Sequence, residues 1–231
     1  MAGYPQRINN ITDLLVPCRT LADIGCDHAY VCIKAVKDGK AETAFACDVH
    51  TGPLARAKEN IEKEGLSSRI TVVLSDGFRS LGASPDAASI CGMGGLLIRD
   101  ILKACPEKTE SLRQIVLGPH SEVPELRKYV QEESGFDIHA ERVVFEQGKF
   151  YVLMDVRKAD PCCRPWSPEE YITGKPSLQL DKACYRTYVA SMMKKTEQTL
   201  KKIRCDSDSA EKRSDELKRE LSLYRKTYEH L

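Results

Sequence analysis

Leu21-Ala22-Asp23-Ile24-Gly25-Cys26-Asp27-His28-Ala29-Tyr30 is a short apolar run that breaks at a glycine and enters polar residues just ahead of a helical pattern. That succession predicts a buried strand, a tight turn and a helix. A glycine at the turn lets the chain bend sharply and lets a ligand approach the main chain, while the next helix offers its N-terminus. Downstream the same alternation repeats. Strands are predicted at 20–25, 43–49, 69–75, 87–91 and 113–118, and helices at 30–37, 53–64, 96–105 and 123–133. Gly39, Gly65 and Gly135 stand where helices should stop, and Pro53 and Pro124 where they should start. Strands alternating with helices imply a parallel sheet covered on both faces.

After Gly135 the pattern changes to two β-like runs, 137–145 and 149–156, joined at Glu146-Gln147-Gly148 as a hairpin. Five parallel strands and a terminal hairpin form the strand inventory of the class I methyltransferase sheet, a Rossmann-like α/β fold. A dinucleotide-binding dehydrogenase usually continues with a sixth parallel strand. Pro161, Pro165 and Pro168 then mark a stiff connector. Beyond it, 178–203 and 210–231 carry apolar steps of three and four: Tyr185, Val189, Met192, Thr196, Leu200 and Ile203, then Leu217, Leu221, Tyr224, Tyr228 and Leu231. Two such seams joined at Cys205-Asp206-Ser207-Asp208 read as an antiparallel helical hairpin of coiled-coil type. The expected division is a Rossmann-like domain at 1–158 and a helical extension at 159–231.

The 231 residues hold 35 Lys and Arg against 34 Asp and Glu, a balance that argues against a binder held by phosphate attraction alone. The charge is uneven, with 20 basic and 23 acidic residues in 1–160 but 15 basic and 11 acidic in 161–231. No window approaches the roughly 18 apolar residues of a membrane span, and the start shows no apolar leader. The expectation is a cytoplasmic protein with reduced thiols and no membrane partner, a monomer favoured. The ten cysteines form no zinc-type spacing, and Cys26, His28 and Cys32 lack a fourth ligand, so no metal is expected.

Only Gly25 of a GxGxxG fingerprint is present. S-adenosylmethionine, having no phosphate, needs less main-chain clearance than a dinucleotide, and a carboxylate at Asp27 would repel a pyrophosphate yet suit a sulfonium and an amine. Asp27 with His28 also reads as a capping Asp beside a surface His. Asp48 ends the second strand, 25 residues after Asp23, near the spacing of roughly 20 at which an acid meets ribose hydroxyls. Asp76-Gly77 ends the third, where the acid could accept from an adenine amine; an isolated Asp-Gly is also a common turn. Acids ending neighbouring parallel strands suit the carboxyl edge of an open sheet, where ligands bind. The fourth strand runs into Cys91-Gly92-Met93-Gly94-Gly95, which reads as close approach to a cofactor and a methyl acceptor, or as a flexible loop.

Taken together, Asp23-Ile24-Gly25-Cys26-Asp27-His28-Ala29-Tyr30, Asp48-Val49-His50-Thr51-Gly52-Pro53, Ser75-Asp76-Gly77, Gly92-Met93-Gly94-Gly95 and Leu117-Gly118-Pro119-His120 closely resemble the bacterial TrmK family of tRNA (adenine-N1)-methyltransferases, helical hairpin included. Cys26, Asp48, His50, Gly118 and His120 depart from the residues usual there. The resemblance implies methyl transfer from S-adenosylmethionine to N1 of adenosine 22 in tRNA, with Asp27 the catalytic carboxylate. The cofactor is expected on Gly25, Asp27, His28, Asp48, Val49, Asp76, Gly77, Gly92, Met93 and Gly94. The acceptor is expected on Tyr30, Gly95, Pro119 and His120, with Lys194, Lys195, Lys201 and Lys202 of the hairpin on tRNA phosphates. Alternatives are methylation of another RNA base, a small molecule or a protein, a non-catalytic RNA-binding protein that kept the fold, or a hairpin serving as a solvated face or dimer seam.

Overall fold

A computed structural model describes residues 4–160, 166–203 and 207–231. The chain opens with α1 (Gln6–Leu14), then alternates β1 (Cys18–Ile24), α2 (Tyr30–Lys37), β2 (Ala41–Asp48), α3 (Thr51–Lys63), β3 (Ile70–Leu74), β4 (Ala87–Gly94), α4 (Gly95–Ala104), α5 (Pro106–Ser111), β5 (Gln114–Ser121) and α6 (Val123–Glu132). The hairpin strands β6 (Phe136–Glu146) and β7 (Lys149–Lys158) precede α7 (Pro168–Thr173), a 3-10 turn at Pro176–Leu178, α8 (Lys182–Leu200) and α9 (Asp208–Glu229).

All seven strands join one sheet in the order β3-β2-β1-β4-β5-β7-β6. β7 runs antiparallel to both its neighbours and the remaining pairs are parallel. The strand order reverses between β1 and β4, which places the crevice of an open α/β sheet at their carboxyl ends. Side-chain alternation sorts the core into two layers. Ile115 and Leu117 of β5 pack with α4 and α6, while Val116 between them packs with α1, α2 and α3.

α1, α5 and α7 are absent from the elements read in the sequence. The helix expected from residue 178 begins at Lys182, because Asp181 caps it by accepting from the Cys184 amide at 2.9 Å. Pro161 and Pro165 of the expected connector, and Cys205 and Asp206 of the expected turn, lie outside the described residues.

α8 and α9 form the expected antiparallel pair, with Tyr185, Val189 and Thr196 buried against Leu217, Leu221 and Tyr224. The base of this pair is continuous with the main core: Trp166, Tyr185, Tyr188, Val189 and Tyr224 belong to the same buried cluster as Ile115 and Val130. A polar clasp adds to it. Arg127 and Glu141, both side chains fully buried, form a bidentate pair at 2.7 and 3.2 Å. Arg127 also donates to the carbonyls of Tyr171 and Ile172, and Gln179 donates to Glu141 at 2.6 Å. Gly174 passes over this pair at φ 84°, and a Cβ there would lie 2.6 Å from Glu141 Oε2. No helix among the described residues is long and apolar enough to cross a membrane.

Candidate active site

Gly25 turns the chain at φ 79°, and a Cβ there would come within 2.8 Å of the Met93 methyl carbon. The turn after β1 and the tip of β4 therefore touch through a glycine and a methionine, closing the floor of the crevice. A cavity of about 300 Å³ opens above. Its walls are Asp23, Gly25, Cys26, Asp27, His28, Tyr30 and Val31 on one side and Cys91, Gly92 and His120 on the other, and it is roofed by Pro5, Arg7, Ile8 and Ile11.

Asp23 is the buried acid of this cavity, 4% exposed. Burial pushes its carboxyl up to about 7, a hydrogen bond with Ser89 opposes the shift, and the charge of Asp48 adds to it. Asp27 is held differently. It takes φ 40°, exposes its carboxylate, and pairs with Arg56 of α3 at 3.0 Å and with His28 at 3.6 Å. Asn60 of α3 fixes the same turn by donating to the His28 carbonyl at 3.0 Å. His28 stacks on Tyr30 with ring centroids 5.1 Å apart and planes 14° apart, leaving an exposed aromatic edge at the mouth.

Asp48, Val49, Asp76 and Gly77 stand at the carboxyl ends of β2 and β3 as an open shelf beside the cavity, whereas Met93 packs against Gly25 and a Cβ on Gly94 would meet the Glu122 carboxylate at 2.9 Å. Asp48, half-buried, accepts from the His50 amide at 2.9 Å. Asp76 pairs with Arg79, and Ser75 pins its turn by donating to the Gly77 carbonyl at 2.8 Å. Val49 and Leu74 are each 53% exposed, apolar surface at neighbouring strand ends that a flat heterocycle could cover.

Two residues expected to face an acceptor do not line this cavity. Gly95 is buried where a Cβ would lie 2.5 Å from the Glu122 carbonyl oxygen, so its smallness serves the packing of α4 on the turn before α6. Pro119 is buried within β5. His120, one residue on, is exposed and reaches the cavity. Burial, with Arg7 and Lys149 adding, lowers its pKa below the usual histidine range. Gly118 is buried too, since a Cβ there would meet Cys91 Sγ at 2.8 Å.

Lys194, Lys195, Lys201 and Lys202 are exposed on α8 and just beyond it, and none forms an ion pair among the described residues. On α9, by contrast, four cations are paired: Arg213 with Glu216, Lys218 with Asp215, Arg225 with Glu197 and Lys226 with Glu169.

Arg7, Ile8 and Ile11 of the roof, Asp23 of the β1 wall and Arg56 beside Asp27 were not among the sequence candidates. The signal for the roof was present in the spacing of Ile8, Ile11 and Leu14, all buried on α1. The signal for Asp23 was a carboxylate inside an otherwise apolar strand.

A family model described as "Methyltransferase domain" matches residues 4–154. The tRNA (adenine(22)-N(1))-methyltransferase of Bacillus subtilis (strain 168) is 33% identical over 156 residues, 67% of this chain and 65% of that protein. The match thus spans 65% of the length of that curated relative. The crystal structure of the B. subtilis m1A22 tRNA methyltransferase TrmK superposes with a TM-score of 0.85 at 27% identity, over 99% of this chain and 100% of that one. M. capricolum TrmK in complex with S-adenosyl-homocysteine superposes with a TM-score of 0.83 at 26% identity, over 98% of each chain. The methyltransferase-type strand order, the crevice between β1 and β4, and likeness that extends through the helical hairpin agree: the chain belongs to the TrmK family of methyltransferase-domain proteins.

Proposed function

We propose that the protein transfers a methyl group from S-adenosylmethionine to N1 of adenosine 22 in tRNA. One observation carries this reading: a cavity with a buried acid, Asp23, and an exposed acid, Asp27, opens beside a shelf that offers Asp48, Asp76 and bare apolar surface. The donor set fits the cofactor. Asp23 suits a cationic group, Asp48 can accept from ribose hydroxyls, Asp76 from an adenine amine, and Val49 and Leu74 can cover a purine face. When bound, S-adenosylmethionine supplies a methyl carbon activated by its sulfonium.

Adenine N1 carries its own lone pair, so attack needs no strong base, and orientation supplies much of the acceleration. The His28 and Tyr30 rings offer a face for the target base. Alkylation makes the ring cationic and acidifies its N6 amine. Asp27 stands at the mouth to accept from that amine and to offset the new charge. The enzyme is read as cytoplasmic, with residues 1–158 carrying the chemistry and 159–231 contacting tRNA. The test is nucleoside mass spectrometry of tRNA incubated with the protein and labelled S-adenosylmethionine. Label in 1-methyladenosine at position 22 is expected, and label in any other base, or none, rejects the assignment.

Asp23 yields a pH prediction. Its folded pKa of about 7 lies above the unfolded value of about 3.9, so between those values the folded state binds more protons and loses stability as pH rises. A bound cation favours the ionised acid. Affinity for S-adenosylmethionine should therefore climb from pH 5.5 to 7, by up to about tenfold per unit, and level off above. Calorimetry of Asp23→Asn should show weaker binding with this pH dependence gone; a retained slope would assign the titration to another group.

The α8 lysines yield a second. Cutting the chain at 161 would uncover Tyr185, Tyr188 and Val189, so charge removal is the cleaner test. Changing Lys194, Lys195, Lys201 and Lys202 together to Gln should weaken tRNA binding about tenfold or more at low salt and flatten the log–log salt slope by up to about 3. Unaltered slope would reassign this face to solvent.

A further inference from the structure

The β1 wall and the roof of the cavity differ in charge. Asp23 and Asp27 stand on the β1 side, whereas the roof brings the cationic Arg7 of α1, next to a His120 of β5 whose pKa burial and Arg7 lower. The Arg7 guanidinium lies over the Tyr151 ring, 5.1 Å from its centroid, and the His120 ring lies 5.6 Å from the same ring. Tyr151 belongs to the layer that packs α1. Residues two apart on a strand share a face, so Lys149, at the start of β7 and exposed, continues this cationic line outward from Tyr151.

Neither Arg7 nor Lys149 forms an ion pair among the described residues. The nearby Glu146 carboxylate accepts from the Arg7 main-chain amide at 3.3 Å, which anchors the start of α1 and leaves the guanidinium turned to the aromatic face. An arginine held over a ring in this way, without a carboxylate partner, keeps N–H donors available for an oxygen anion.

We propose that Arg7, with Lys149 beyond it, binds the phosphodiester next to the target nucleotide and so draws that nucleotide into the cavity with its base under the acidic wall. This rests on the RNA methyltransferase reading above. A base taken out of its stack must be held against the cost of unstacking, and its backbone phosphate is the charged handle nearest to it. The cofactor offers an anion as well, its own carboxylate. The cationic line, however, leaves the cavity and reaches the surface at Lys149, which follows the course of a polymer backbone better than that of an enclosed small molecule.

The experiment compares wild type, Arg7→Gln and Lys149→Gln in two direct binding assays, tRNA by fluorescence anisotropy across a salt series and S-adenosylhomocysteine by calorimetry. Thermal melts verify folding. Each variant should bind tRNA roughly fivefold or more weakly and lose about one from the salt slope, with S-adenosylhomocysteine affinity within about twofold of wild type. Lys149 is exposed, so its variant keeps the test decisive if Arg7→Gln disturbs α1. An equal loss of S-adenosylhomocysteine affinity in Arg7→Gln would assign the arginine to the cofactor's carboxylate and overturn the proposal. Unchanged tRNA affinity and slope in both variants would also overturn it. A wild type that binds no tRNA would instead overturn the functional reading beneath it.

Discussion

Asp27→Asn is expected to lower the methyl-transfer rate about 100-fold, a typical loss when a group matched to developing charge is removed, while changing S-adenosylmethionine affinity by no more than about twofold. The argument turns on when the charge is needed. The free adenine is neutral and becomes cationic only as the new bond to carbon forms, so a carboxylate beside its amine stabilises the transition state more than the bound substrate. Asn keeps the size and one acceptor oxygen but loses the charge. Arg56 at 3.0 Å and His28 at 3.6 Å hold the carboxylate at the mouth, and the turn that carries it is tied to α3 through Asn60. In the proposed reading, cofactor contacts fall instead to Asp23, Asp48 and Asp76. Single-turnover rates and calorimetry on the same preparations would decide, and equal rates in the two proteins would remove the role from Asp27.

The second large effect concerns stability. Arg127→Met should destabilise the fold by about 3–5 kcal/mol, because it strands a buried carboxylate without its partner. Glu141 is fully buried and would retain only the Gln179 contact from its present side-chain partners. The double variant Arg127→Met with Glu141→Leu should cost clearly less than the two single losses combined, since both charges leave the interior together. Urea unfolding of the four proteins measures this. Strict additivity would mean that the pair does not act as a unit.

The strands were legible in the sequence because their apolar runs are short, rich in small and branched residues and closed by Gly or Asp; β1 to β5 fall within a few residues of expectation. The hairpin was legible from Gln147-Gly148, both in left-handed conformation at the turn. Helix α1 was not read. Its N-cap is Pro5, which makes no side-chain cap bond, and its burying partners, among them Tyr151, lie far along the chain. Arg127 was hidden for a different reason. A charged residue in a helix ordinarily marks the solvent face, and only the return of residues 171–179 over α6 makes this one internal. In the candidate site, Asp27, Gly25 and His28 were visible through the turn chemistry of one segment, whereas Arg7 and Arg56 act there because distant helices fold over it. Gly95 and Pro119 show the converse: glycine and proline beside a strand end look like ligand clearance, yet here they answer to packing.

The core shared with Tyr185, Tyr188 and Tyr224, with the buried clasp of Arg127 and Glu141 beside it, seats the base of the helical pair on the sheet domain. If the pair's lysines and the cavity grip one RNA, they measure a span between two points on a folded molecule. Target choice then becomes partly a matter of length, and the same adenosine in a short, shapeless oligonucleotide would reach the pocket without the second grip that holds it in place.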